Sequence, residues 1–194
     1  MATNPDRLWT IPNVLTLSRL PLAVVLFACI SHNWWLAGLL VFGLAAITDW
    51  LDGLLARYLD QQSAIGRSLD PLIDKVLTGG AFIYLMPVKD AELMPWMVTV
   101  VVGRELLITG IRGIMEAQGM KFGADWLGKI KMVLQCAVLV AVLLVLWLRT
   151  LELSADTVAA LHGAQVVLIY TMVAATILSG VKYVAKAARD WTRG

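Results

Sequence analysis

Four aspartates pose the chemical question in this chain. Asp49 and Asp52 stand in the run Asp49-Trp50-Leu51-Asp52-Gly53-Leu54-Leu55-Ala56-Arg57. Asp70 and Asp74 follow in Gly66-Arg67-Ser68-Leu69-Asp70-Pro71-Leu72-Ile73-Asp74-Lys75. A carboxylate within an apolar segment is costly, and four at a similar depth would repel one another. A bound divalent cation removes that repulsion, because hard oxygen ligands suit Mg²⁺, Mn²⁺ or Ca²⁺.

The spacing supports metal binding. A helix turns by about 100° per residue, so Asp49 and Asp52 lie about 60° apart on one face. Ala56 falls between them one turn on, and Gly53 flanks the same face, where it admits close approach to the backbone. Gly66, Asp70 and Asp74 recur every fourth residue and form one stripe. Two such stripes facing each other would hold a pair of metals roughly 3.5–4 Å apart. Pro71 is expected to be tolerated within the first turn of the third helix. By contrast, Asp60, Asp90, Asp125 and Asp156 read as caps or solvated interfacial residues.

The elements that must position these acids follow from composition. The 194 residues are 59% hydrophobic and 15% charged, against about 45–50% and about 25% in ordinary soluble domains. Disorder is excluded by the same figures. A net charge of +2 without a basic stripe argues against a nucleic-acid partner. Cys29 and Cys136 have neither metal-ligand nor disulfide-framework spacing. The expected class is an all-α integral membrane protein.

A bilayer crossing takes about 20 mostly apolar residues. Six are expected, at about 14–30, 34–59, 69–86, 93–115, 126–148 and 157–185. Only the last two are clean hydropathy signals. Residues 1–12 would form a short interfacial helix, and the whole chain, 1–194, a single membrane-embedded catalytic domain. The first span, with Asp6 and Arg7 before it and Arg19 within it, is not expected to be a cleaved leader. Loops near 31–33, 87–92 and 149–156 hold only Lys89 and Arg149, while the other fourteen basic residues lie on or near the opposite side. The bias of basic residues towards the inside therefore places both termini and the aspartates in the cytoplasm.

The pattern Asp-x2-Asp-Gly-x2-Ala-Arg-x8-Gly-x3-Asp-x3-Asp, from Asp49 to Asp74, resembles the signature of the CDP-alcohol phosphotransferase family and departs from it nowhere. The resemblance implies a six-span membrane enzyme, usually a homodimer, of the bacterial inner membrane. It implies that Asp49, Asp52, Asp70 and Asp74 bind two divalent metal ions, Mg²⁺ or Mn²⁺, and that Asp74 is the general base. Gly53, Ala56, Arg57 and Gly66 would form the CDP site, with Arg67 and Asn13 as further candidates. The implied reaction displaces CMP from a CDP-linked lipid by an alcohol. Metals and an arginine fork suit the anionic diphosphate and its transition state. Asn13, Thr16 and Arg19 would border the nucleotide, and a helix-start role for Asn13 and Thr16 stands equally open.

Other residues address the acceptor. Arg104 and Arg112 lie eight apart on the fourth span, and Lys129 and Lys131 open the fifth. Four basic groups around one cavity suit an acceptor that carries its own phosphate. Snorkelling to lipid head groups is the competing account of Lys129 and Lys131, and a pairing with Glu105 that of Arg104. His162 reads as a packing residue.

The segments Ile11–Arg19, Ala46–Gly53, Arg104–Arg112 and Trp126–Lys131 resemble the bacterial phosphatidylglycerophosphate synthase subfamily. That resemblance implies CDP-diacylglycerol as donor, sn-glycerol 3-phosphate as acceptor and CMP as product. Inositol phosphate or phosphatidylglycerol as acceptor stays open. So does a divalent-cation transporter, which would have no use for Gly53, Ala56, Arg57 and Gly66 in register.

Overall fold

The computed structural model describes residues 11–58, 64–118, 126–151 and 153–191, with side chains described for 17–49, 51, 72–118, 126–151, 153–154 and 156–191. Residues 1–10 of the expected interfacial segment lie outside the described residues, and 11–12 already belong to the first helix. Among the described residues the protein is all-helical, with α1 (Ile11–Ser31), α2 (Trp35–Tyr58), α3 (Ala64–Leu85), α4 (Pro95–Ala117), α5 (Trp126–Leu148) and α6 (Ala155–Trp191).

These helices follow the apolar stretches of the sequence, with two differences. Helix α6 runs 37 residues, to Trp191. Helix α3 begins at Ala64, so Asp70 and Pro71 fall in its second turn rather than its first. The start of α4 follows the expected chemistry, with Pro95 in its first turn, where a missing N–H costs nothing.

Helix α1 packs on α2 and α3, α5 joins α2 and α3 to α6, and α4 lies against α3 and α6. The core is aliphatic and aromatic. Leu26, Phe82, Leu85, Leu139, Leu143 and Met172 are fully enclosed. Close approach of α1 to α3 depends on one glycine. A Cβ at Gly80 would stand 2.2 Å from the Phe27 ring, and that ring stacks on Tyr84 at 4.7 Å.

Two helices, Trp126–Leu148 and Asp156–Trp191, are long and apolar enough to cross a membrane. Large apolar side chains also cover the outside: Val24, Leu40, Ile83, Leu106, Val133 and Val167, one from each helix, are exposed. Many large apolar side chains are thus exposed on every helix, as lipid-facing surfaces require.

At one end of the bundle, the turns after α1, α3 and α5 come together around a cavity of about 790 Å³ that includes Asn33, Lys89, Asp90 and Arg149. Asn33, Asp90 and Glu92 adopt positive φ of 57°, 70° and 57°. Such backbone persists when its surroundings over-determine it. Here Gln165 Nε2 donates to the carbonyls of Asp90 (3.1 Å) and Ala91 (3.0 Å). Arg149 pairs with Asp90 at 3.2 Å, and His162 Nε2 meets Glu92 Oε1 at 2.9 Å. Asp90 is thus an ion-paired turn residue rather than a cap. His162 ties α6 to the α3–α4 turn rather than filling the core, because its ring nitrogen finds a carboxylate there.

Candidate active site

Helical spacing carries the polar residues of α3, α4 and α5 to one interior cavity of about 720 Å³ at the other end of the bundle. Asp74, Lys75 and Thr78 face it from α3; Arg104, Glu105, Thr109, Arg112 and Glu116 from α4; Gly128, Lys129, Lys131 and Gln135 from α5; and Ser179 and Tyr183 from α6. Three- and four-residue intervals recur in these sets, as in Lys75–Thr78, Glu105–Thr109–Arg112–Glu116 and Lys131–Gln135, because such residues share one face of a helix.

Asp74 lies within electrostatic range of Asp49, Arg19, Lys131 and Glu105. Arg19 of α1 is almost completely buried, and its Nη1 donates to Asp49 Oδ1 at 2.5 Å. Arg19 is therefore the counter-charge of Asp49, whichever ligand it also borders. Asp74 is half-buried, and no described residue donates a hydrogen bond to its carboxylate.

Seven expected site residues, Asp52, Gly53, Ala56, Arg57, Gly66, Arg67 and Asp70, lie on the helical backbone of α2 and α3, and Asn13 on α1. Their side chains lie outside the described residues. Among the described residues no group of three or more His, Cys, Asp or Glu stands together, since only two of the four expected metal-binding acids fall there. The two that do have the right chemistry. Hard oxygens on adjacent helices, one of them without a hydrogen-bond donor, fit a divalent cation of the Mg²⁺ type.

All four basic residues expected to meet an acceptor phosphate line the cavity. They divide by partner. Glu105, buried in α4, accepts hydrogen bonds from Lys131 Nζ and, at 3.1 Å, from Arg104 Nη1. Lys131 also donates to Gln135 Oε1 at 3.2 Å. Lys131 is buried, so the snorkelling account fails for it: its ammonium points into the bundle because a carboxylate waits there. Lys129 is exposed at the rim. The Arg112 guanidinium lies 6.0 Å from the centroid of the Tyr183 ring, within cation–π reach.

Three participants were not singled out from the sequence. Lys75 donates to Thr109 Oγ1, and Thr109 in turn donates to the Glu105 carbonyl at 2.7 Å. Gln135 and Tyr183 complete the wall. Lys75 carried a signal, its place directly after Asp74. Gln135 carried one too, four residues beyond Lys131. Tyr183 carried none. Among the described residues, five cations and three carboxylates line the cavity, an excess suited to an anion.

Residues 9–185 match the profile of the family described as CDP-alcohol phosphatidyltransferase. The chain is similar to a Bacillus subtilis (strain 168) protein named CDP-diacylglycerol–glycerol-3-phosphate 3-phosphatidyltransferase. The two are 35% identical over 153 residues, 71% of this chain and 78% of the relative. It is 34% identical over 191 residues, 95% of this chain and 84% of the relative, to a Mycobacterium tuberculosis (strain H37Rv) protein named probable phosphatidylglycerophosphate synthase. A Salmonella choleraesuis protein bearing the same name as the Bacillus one is 32% identical over 174 residues, 84% of this chain and 91% of the relative. With its aspartate signature, its all-helical bundle and a match over nearly its whole length, the chain belongs to the CDP-alcohol phosphatidyltransferase family.

Proposed function

We propose that this protein transfers the phosphatidyl group of CDP-diacylglycerol to sn-glycerol 3-phosphate, producing phosphatidylglycerophosphate and CMP. The observation that carries this reading is the shared cavity, which holds a carboxylate, Asp74, to which no described residue donates a hydrogen bond, together with a cationic wall. A small alcohol bearing its own phosphate matches that layout, with its hydroxyl at Asp74 and its phosphate at Arg112 and Lys129. The names of the relatives point to the same pair of substrates.

The acceptor hydroxyl attacks the phosphatidyl phosphorus of the donor. A new P–O bond forms, the bond to the bridging oxygen of the diphosphate breaks, and CMP leaves with that electron pair. Asp74 takes the hydroxyl proton. Arg112 and Lys129 hold the acceptor phosphate as charge-assisted donors. Glu105 keeps Lys131 and Arg104 in place, and buried apolar side chains behind the cavity limit water, which would otherwise compete as nucleophile.

Asp49, Asp52, Asp70 and Asp74 would hold two divalent ions, Mg²⁺ or Mn²⁺. The chemistry such ions supply is neutralisation of charge on the phosphoryl oxygens. Gly53, Ala56, Arg57, Gly66, Arg67 and Asn13 would receive the CDP moiety. The apolar exterior supports a single multi-pass domain with six spans. The basic-residue bias supports an active site and termini on the cytoplasmic side of a bacterial inner membrane. A homodimer is part of the same proposal.

The test is an acceptor panel. Detergent-purified protein with Mg²⁺ and CDP-diacylglycerol should release CMP with sn-glycerol 3-phosphate and not with free serine or choline. Release with inositol phosphate or phosphatidylglycerol, and none with glycerol phosphate, would refute the assignment.

A further inference from the structure

We infer that Gln135 is a specificity-determining residue that reads the non-reacting hydroxyl of the acceptor alcohol. The inference deepens the proposed reaction and rests on it.

Gln135 is a fully enclosed amide in an apolar helix, with only 3% of its surface exposed, and it lines the cavity that holds Asp74 and Arg112. Its orientation is decided by chemistry. Lys131 Nζ lies 3.2 Å from one end of the amide. An ammonium only donates, so that end must be the oxygen. The NH₂ group therefore points away from Lys131, and its nitrogen has no hydrogen-bond partner among the described residues. Buried donors in native proteins are nearly always satisfied, and an exception calls for a reason. A partner that arrives with the substrate is such a reason.

The position defines what that partner is. Lys131, to which Gln135 is bonded, lies within electrostatic range of Asp74. Cys136, the next residue along α5, is within range of both Asp74 and Asp49. The amide thus shares the cavity with Asp74, whereas Lys129 lies exposed at its rim. A glycerol phosphate with its phosphate at the cations and its terminal hydroxyl at Asp74 has one polar group left, the central hydroxyl. An NH₂ donor matches a neutral hydroxyl oxygen. It would be a poor choice for the phosphate, for which Arg112 and Lys129 line the same cavity.

The experiment compares two acceptors, sn-glycerol 3-phosphate and 3-hydroxypropyl phosphate, which lacks the central hydroxyl. The wild type should favour the former in kcat/KM by about tenfold or more, since a site built to pair a hydroxyl rejects the analogue without it. Gln135→Met keeps the length of the side chain and removes the donor. It should bring the ratio near one by lowering turnover of glycerol phosphate, with turnover of the analogue kept within about threefold. Gln135→Asn, which retracts the amide, should give an intermediate ratio.

A wild type that does not discriminate overturns the inference, as does a Gln135→Met protein that keeps the wild-type ratio or loses both acceptors alike. A wild type inactive with glycerol phosphate but active with another alcohol overturns the acceptor assignment, and this inference with it.

Discussion

The Glu105 carboxylate of α4 accepts a hydrogen bond from the Lys131 ammonium of α5, and the same oxygen takes Arg104 at 3.1 Å. One acid thus restrains two of the four cations expected at the acceptor site, while Arg112 and Lys129 pair with no carboxylate among the described residues. A buried charge that loses its partner costs roughly 3–5 kcal/mol. Glu105→Ala should accordingly lower the thermal midpoint in detergent by more than about 5 °C. The Glu105→Met, Lys131→Met double variant should recover much of that loss. A double variant as unstable as the single would show that the pair does not carry the effect.

Arg112 and Lys129 are then the cations left to meet an incoming phosphate. Arg112→Met and Lys129→Met should each raise the KM for sn-glycerol 3-phosphate by about tenfold or more, the usual weight of a charge-assisted hydrogen bond. The KM for CDP-diacylglycerol should move little. Steady-state CMP release at varied concentrations of each substrate separates the two, and an equal rise in both would remove these residues from the acceptor site.

Asp74 faces the cavity, whereas Asp90 pairs with Arg149 at the other end of the bundle. Asp74→Asn should reduce CMP release by at least about 10³-fold, since it removes the proposed base and a proposed metal ligand together. Asp90→Asn should stay within about twofold of the wild type, because its ion pair is exposed enough to contribute little. Turnover retained by Asp74→Asn would exclude it as the base.

Chelation tests the aspartate constellation as a whole. EDTA should abolish CMP release, and added Mg²⁺ or Mn²⁺ should restore it, because carboxylate oxygens prefer hard cations. Full activity after exhaustive chelation would contradict a metal role for Asp49 and Asp74.

Gly80 offers a test of packing alone. A methyl there would meet the Phe27 ring at 2.2 Å, and the ring is held by its stack on Tyr84. Gly80→Ala should destabilise the protein by about 1–3 kcal/mol. Gly43→Ala, with nothing within 4 Å of the new atom, should be neutral or slightly stabilising. Thermal midpoints of the two variants in one detergent make the comparison. Equal midpoints would mean that Phe27 moves aside freely.

The sequence by itself determined the approximate extent of the six described helices, the apolar character of the chain and the family. The physical reason is that each signal is local. A run of apolar residues specifies a segment without reference to its neighbours. The spacing of Asp49, Asp52, Asp70 and Asp74 puts each pair on one helix face wherever that helix packs. The convergence of Arg104, Arg112, Lys129 and Lys131 on one cavity was also foreseeable, since helical period and membrane depth both confine them.

Only the tertiary structure decided how those charges are shared. Whether Lys131 meets lipid or Glu105, whether Arg19 answers Asp49, and whether His162 packs or pairs with Glu92 depend on contacts 26, 30 and 70 residues apart. Such contacts leave no periodic trace. The same holds for Gln135 and Tyr183, whose chemistry is ordinary until a neighbouring helix turns it toward a substrate. Periodicity assigns a residue to a face, but the rotation and register of packed helices choose its partner.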